Sequence, residues 1–272
     1  MRLGISTCTY TWNFGRKNYP LPRNKFTVDT LLDKAASYSV PVLQILENII
    51  PLHEFSEEAL IDIGHHAADI GVELEIGTLG IVPSQLRKYL HIAKLMGASL
   101  VRTIMDGAGA HPSVPQGAGW IKDVMPEYHD LGIKLSIENH DLRKVAELKE
   151  LMELVDDRLV GICLDMVNSL GAQECQQQVV ETLLPYVNNV HYKDFIIRRT
   201  DYEMGFIVNG CIAGQGITDM DYIVSNRSKA KEDFDIILEQ WMPWLGDIEH
   251  TALEEQRWAD ESIKFLQKKY FS

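Results

Sequence analysis

Short runs of β-branched and apolar residues return along this chain at a nearly constant interval, each followed by a longer stretch of helical periodicity. The runs are LGIST (3–7), PVLQIL (41–46), VELEIG (72–77), LVRTIM (100–105), IKLSIE (133–138), LVGICLD (159–165), VNNVHY (187–192) and DIILEQ (235–240). From Leu46 the next ends fall at Gly77, Met105, Glu138, Asp165 and Tyr192, steps of 31, 28, 33, 27 and 27 residues. Helical periodicity fills the gaps at 28–38, 57–70, 84–96, 119–130, 145–155, 173–184, 220–229 and 248–269. Thr27 and Ser56 stand where N-caps belong, and Gly71 and Gly132 stand just past helix ends. Strands alternating with helices at this spacing predict βα units in a parallel sheet. Eight of them predict an α/β fold, a closed (β/α)8 TIM barrel, with 1–272 as a single domain. The first turn, STCTYTWNFG, has no GxGxxG, which argues against a dinucleotide-binding open sheet. The last step, from Tyr192 to Gln240, is longer by about 20 residues and predicts an ordered excursion over one end of the barrel.

Composition narrows the partners. With 46% hydrophobic residues in 272, the chain can bury a full core. A formal charge of −13 disfavours a phosphate backbone, so no nucleic acid is expected. Cys8, Cys163, Cys175 and Cys211 form no CxxC pair and suit a reducing compartment. MRLGIST holds no signal-like apolar stretch, and no later run reaches the roughly 18 residues of a membrane helix. The expectation is a cytoplasmic protein with a small-molecule partner and no membrane; a homo-oligomer is compatible with the pattern.

In (β/α)8 barrels chemistry sits at the C-terminal ends of the strands. Here the fifth run ends in Glu138, the sixth in Asp165, the seventh in His191 with Lys193 and Asp194, and the eighth in Glu239. One acid at a strand end is usually a cap or a solvated loop residue. Four ionisable groups on successive strands converge on one mouth, and a divalent cation relieves the repulsion of their carboxylates. Three oxygen ligands and one nitrogen suit Mn²⁺, Mg²⁺ or Co²⁺, with Zn²⁺ compatible.

The order ENH (138–140), LDMVN (164–168), HYKD (191–194) and LEQW (238–241) resembles the xylose isomerase-like barrel superfamily, in particular its sugar phosphate isomerase/epimerase branch. The resemblance spans nearly the whole chain. It implies that Glu138, Asp165, His191 and Glu239 bind one divalent metal, and that Glu138 and Glu239 exchange protons at a carbon next to a carbonyl. It is weak for substrate, since epimerases, isomerases, dehydratases, decarboxylases and repair endonucleases share it. Asn168 and Ile197 stand where the family's ketose epimerases commonly have a histidine and an arginine; arginine comes one later, at Arg198. The extra histidines and basic face of the endonucleases are missing.

Other candidates carry weaker claims. Lys193, Arg198, Asn168, Glu47 and His140 are the substrate-binding candidates, against ordinary salt bridges and caps. Trp12, Phe14 and Trp241 stand beside mouth segments and can wall a sugar or simply cover the core. His65 and His66 lie within a helix, where packing is the better reading. Two functions follow. The first is a sugar isomerase or epimerase working through an enediolate with Glu138 and Glu239 as acid/base pair. The alternative is a lyase, a dehydratase or a decarboxylase of a 3-oxo sugar acid. Arg198 and Arg199, in the excursion just past His191, favour this acid substrate, and one of them is expected at the mouth.

Overall fold

The computed structural model describes residues 1–141 and 143–272. Its strands are β1 (Leu3–Ser6), β2 (Val42–Leu46), β3 (Glu73–Gly77), β4 (Leu100–Ile104), β5 (Lys134–Glu138), β6 (Val160–Asp165), β7 (Val187–Tyr192), β8 (Asp194–Arg199), β9 (Phe206–Cys211) and β10 (Asp235–Leu238). All pair in parallel around a closed barrel in the order β1-β10-β7-β6-β5-β4-β3-β2, except β8 and β9, which form their own antiparallel pair. The excursion past Tyr192 is therefore a hairpin standing on the barrel.

Helices α1 (Thr11–Phe14), α2 (Val28–Ser37), α3 (Glu57–Asp69), α4 (Pro83–Met96), α5 (Val114–Leu131), α6 (Val145–Val155), α7 (Gln176–Leu183), α8 (Met220–Ser225) and α9 (Ile248–Tyr270) follow the strands. Thr27 and Ser56 cap α2 and α3 as expected, accepting from the N–H groups of Thr30 and Ala59. Helix α5 starts at Val114, ahead of the expected 119, because Pro115 lies in a first turn that needs no N–H from it and Ser113 caps it. Helix α7 starts late, after Gln173 turns left-handed at φ 61°.

The strands' outward residues, such as Leu43, Ile45, Ile76, Ile137 and Val190, are buried against the helices in one large apolar cluster. Each such side chain contributes about 1.5–3 kcal/mol by burial. The barrel interior is different. Register partners face the same way, so Gln44 stands beside Glu75, Arg102 beside Ser136, Glu138 beside Cys163 and Asp165 beside His191.

One irregularity sets the phase of that interior. Between β6 and β7 the register moves from Ile162↔Val187 to Cys163↔Asn189, leaving Asn188 as an extra residue. Asn188 accepts from Ser136 Oγ at 2.6 Å, and Asn189 Nδ2 donates to Glu75 at 3.0 Å, so two consecutive side chains point inward. Strict alternation from Val187 would have turned His191 toward the helices; the bulge turns it into the barrel. Gly161 makes room, since a Cβ there would lie 2.4 Å from Asn188 Cγ.

Candidate metal centre

Glu138 closes β5, Asp165 closes β6, His191 lies one residue before the end of β7, and Glu239 follows β10 directly. Their side chains are 1%, 0%, 0% and 7% exposed. His191 Nδ1 lies 3.2 Å from Glu138 Oε2 and 3.3 Å from Glu239 Oε1. Asp165 splits its oxygens. Oδ1 accepts from the N–H groups of Val167 (2.7 Å) and Asn168 (2.9 Å), while Oδ2 faces the other carboxylates. Asn139 ties the two strand ends together, accepting from Asp165 N–H at 2.8 Å and donating to Ser169 Oγ at 2.9 Å.

Two buried cations stand among the acids. Lys193 Nζ lies 2.7 Å from both Asp165 Oδ2 and Glu239 Oε2, and 5.1 Å from the centre of the Trp241 ring. Arg102, on β4, pairs through Nε and Nη2 with Glu138 Oε2. Asn168 Nδ2 donates to the other oxygen of Glu138 at 2.6 Å, and Asn168 Oδ1 lies 3.4 Å from Lys193 Nζ. Burial pushes the Glu138 carboxyl up, but Arg102, His191 and Lys193 outweigh it and hold the group well below the usual carboxylate range. Burial works downward on Lys193, and Asp165 and Glu239 carry it above the usual lysine range. His191 is likewise drawn well above an ordinary imidazole, against its burial, by Cys163, Glu239 and Glu138.

A cation fits this set. Two buried polar atoms point into the cluster: His191 Nδ1 has no hydrogen-bond partner, and Asp165 Oδ2 has none beyond its ion pair with Lys193. One ligand atom each from Asp165, His191 and Glu239 lies within 4.8 Å of the others. Glu138, Cys163 and His191 form a second such group. There, however, burial pushes the Cys163 thiol up to about 11, and its S–H donates to Asn189 Oδ1 at 3.4 Å. The oxygen-rich set is the better seat, and Glu138 Oε2 lies beside it, 3.2 Å from His191 Nδ1.

The other sequence candidates divide. Lys193 and Asn168 are in the cluster. Glu47 is occupied by the loop after β3, accepting from Leu79 N–H (3.2 Å), Gln85 Nε2 (3.1 Å) and the Thr78 hydroxyl. His140 lies 3.0 Å from Asp141 with its side chain 35% exposed. Neither expected arginine reaches the cluster, which corrects the reading of the excursion. Arg198 is exposed and pairs with Asp201 at 3.4 Å, and Arg199 lies over the Phe206 ring at 4.4 Å. Both sit on the outer part of β8, past the point where the hairpin leaves the barrel. Trp12 and Phe14 pack into buried clusters, while Trp241 remains at the mouth. His65 is exposed and His66 pairs with Asp29.

Asp194, next to Lys193, has a structural task. Its carboxylate accepts from the N–H groups of Phe195, Gly214, Gly216 and Thr218 at 2.8–3.0 Å, closing the base of the hairpin loop. A Cβ on Gly216 would lie 2.2 Å from its Oδ1. Arg102, Gln44 and Glu75 are the interior residues that inspection of strand ends misses. Their signal is a polar or charged residue at an inward position of an apolar run, as in LVRTIM, PVLQIL and VELEIG.

A closed parallel barrel carrying one imidazole, three carboxylates and two cations at its C-terminal mouth defines the class: a (β/α)8 protein with buried groups at the mouth that could hold a metal ion. The family described as xylose isomerase-like TIM barrel matches residues 82–269, and the chain belongs to that family. It is 28% identical over 266 residues to 3-oxo-isoapionate decarboxylase of Pectobacterium atrosepticum, covering 98% of this chain and 95% of that one. Among solved structures it resembles D-psicose 3-epimerase crystallised with D-fructose (TM-score 0.72, 15% identity, 100% and 99% covered). It also resembles the IOLI protein with a bound zinc atom (TM-score 0.67, 15% identity, 100% of both covered). At these identities the two structures show the shared fold. No helix among the described residues is long and apolar enough to cross a membrane.

Proposed function

We propose that this protein is a divalent-metal-dependent lyase that decarboxylates a 3-oxo sugar acid. The observation that carries the reading is the pair of buried cations, Arg102 and Lys193, beside the metal-ligand set. Three carboxylates against two cations leave one negative charge. A divalent ion turns that into one net positive charge, which suits an anionic substrate and disfavours a neutral sugar. Glu138, Asp165, His191 and Glu239 would hold the ion, which supplies Lewis-acid charge to the 3-oxo oxygen.

In the reaction the bond between C2 and the carboxyl carbon breaks, its electron pair moves into an enolate, and C2 then takes a proton. No α-proton has to be removed first. That matches Glu138, whose two oxygens are taken by Arg102 and Asn168 and which is therefore held as a fixed anion. Glu239 is the more exposed carboxylate; against its burial, His191 and Lys193 hold it below the usual carboxylate range, so it would not store a proton but would pass to C2 one drawn from the Lys193 ammonium 2.7 Å away. The 28% identical decarboxylase, matched over nearly its whole length, supports the same reaction class.

The isomerase or epimerase reading, ranked first on sequence, keeps one observation in its favour: Glu138 and Glu239 both approach His191 Nδ1, as an acid/base pair at one centre would. The test is direct. Incubated in D2O with Mn²⁺, 3-oxo sugar acids should lose CO2 and gain one deuterium at the former α-carbon. Deuterium exchange into ketoses, with no CO2 from any oxo acid, would reverse the ranking.

A further inference from the structure

We infer that Glu75, which touches none of the four metal-ligand residues, is a positioning residue that decides which nitrogen of His191 faces the metal, acting through Gln44. The inference rests on the metal-centre reading above and concerns residues that the reading leaves without a role.

Glu75 is 2% exposed, on β3, inside the barrel. Gln44 stands between it and the centre, with Nε2 at 2.8 Å from Glu75 Oε2 and Oε1 at 2.7 Å from His191 Nε2. A carboxylate offers only acceptors, so it claims the NH2 end of the Gln44 amide. The oxygen end is then left for His191, and an oxygen can only accept. His191 Nε2 must therefore carry a hydrogen whether the ring is neutral or protonated, so Nδ1, the atom facing Glu138 and Glu239, is the nitrogen that gives up its proton and offers the lone pair when an ion binds. Asn189 repeats the pattern, donating through Nδ2 to both oxygens of Glu75 at 3.0 Å and accepting at Oδ1 from the Cys163 thiol at 3.4 Å. One buried carboxylate thus gives two amides a fixed direction. Burying a charge in a barrel interior is costly, and an apolar side chain would fill the same place more cheaply. The polarity of the chain from Glu75 through Gln44 to His191 is what the charge achieves.

The experiment is a charge swap. Burial, and after it Asp235, push the Glu75 carboxyl up to about 7, so the measurements are made at pH 8, where it is ionised. Protein stripped with chelator is titrated with Mn²⁺ by calorimetry as wild type, Glu75→Gln, Gln44→Met and the double variant Glu75→Gln/Gln44→Glu. Glu75→Gln lets the Gln44 amide turn its NH2 toward His191, and Gln44→Met removes the acceptor. Each should weaken Mn²⁺ binding by roughly tenfold to a hundredfold. In the double variant the carboxylate now at position 44 accepts directly from His191 Nε2, while the amide now at position 75 donates to that carboxylate. The polarity is kept, so affinity should return to that of wild type. The slowly exchanging imidazole Nε2–H proton of His191, read by NMR in Mg²⁺-loaded protein, should be present in wild type and double variant and lost in Glu75→Gln. A merely structural role predicts that two substitutions do at least as much harm as one. Wild-type affinity in both single variants, or a folded double variant as weak as Glu75→Gln, overturns the inference. If wild type itself binds no Mn²⁺, the metal centre fails; if wild type binds and both single variants bind equally well, the positioning role alone fails.

Discussion

Replacing Arg102 with methionine separates the structural from the chemical use of the buried charges. Arg102 and Glu138 have side chains only 7% and 1% exposed, so their pair is not screened by solvent. Removing one partner of a buried pair costs about 3–5 kcal/mol, because the other is left charged and alone. In EDTA, then, Arg102→Met should lose about that much stability in urea titrations. A divalent ion seated beside Glu138 supplies the missing positive charge, so in excess Mn²⁺ most of the loss should vanish. Linkage then fixes a second number. If the ion restores about 3 kcal/mol, the variant must bind Mn²⁺ roughly a hundredfold more tightly than wild type. Decarboxylation should fall all the same, since the site loses a cation facing an anionic substrate. Equal destabilisation with and without Mn²⁺, or a loss below about 1 kcal/mol in EDTA, would refute the argument that Glu138 is held between Arg102 and a metal.

Three further outcomes are expected. Glu239→Gln, assayed at saturating Mn²⁺, should lower turnover by about 10²–10⁴-fold with the barrel still folded, and near-normal turnover would remove Glu239 from proton transfer. Arg198→Ala should change stability by less than about 0.5 kcal/mol and leave KM for acid substrates unchanged, because its partner Asp201 is an exposed surface residue; a selective loss of acid substrates would restore it to the site. Glu255 is pushed up to about 7 by burial, against the N–H groups of Trp12 and Asn13 that it accepts, so the native state keeps a proton that the unfolded chain releases near pH 4.5. Stability should therefore fall by about 3 kcal/mol on this account as pH rises from about 4.5 to 7, and Glu255→Gln should lack that part of the slope in urea titrations at pH 5 and 7.5.

The barrel was legible because its signal is periodic: a strand every 27–33 residues from Leu46 to Tyr192 leaves few other ways to bury so many apolar runs. The candidate metal ligands were legible as a buried cluster because each interrupts an apolar run at its end. Arg102, Gln44 and Glu75 interrupt such runs in the middle, where the side chain's meaning depends on which face of the strand is inward. That phase is a tertiary property. In β7 it is set by the extra residue at Asn188, which no local pattern in VNNVHY announces. The hairpin was missed for the opposite reason. Ile197, Phe206 and Val208 are exposed, so its strands lack the apolar-in, polar-out alternation that marks a half-buried sheet.

The four residues HYKD then follow from strand geometry alone. Once the bulge has turned His191 inward, successive side chains alternate: Tyr192 lies in the core cluster, Lys193 points back into the mouth between Asp165 and Glu239, and Asp194 points away and gathers four backbone N–H groups of the hairpin loop. The imidazole is placed between Glu138 and Glu239 and the ammonium among negative charge, while the carboxylate fixes the loop that follows them. The sign of each group matches its side of the chain. A cation is stabilised among three carboxylates, and an anion where backbone N–H groups converge. Exchanging Lys193 and Asp194 would put a fourth carboxylate among Glu138, Asp165 and Glu239 and an ammonium against four N–H donors, two repulsions created by one transposition. The order of charges in this stretch is therefore dictated by the alternation, and the electrostatics of the mouth depend on a single inserted residue three positions before the histidine.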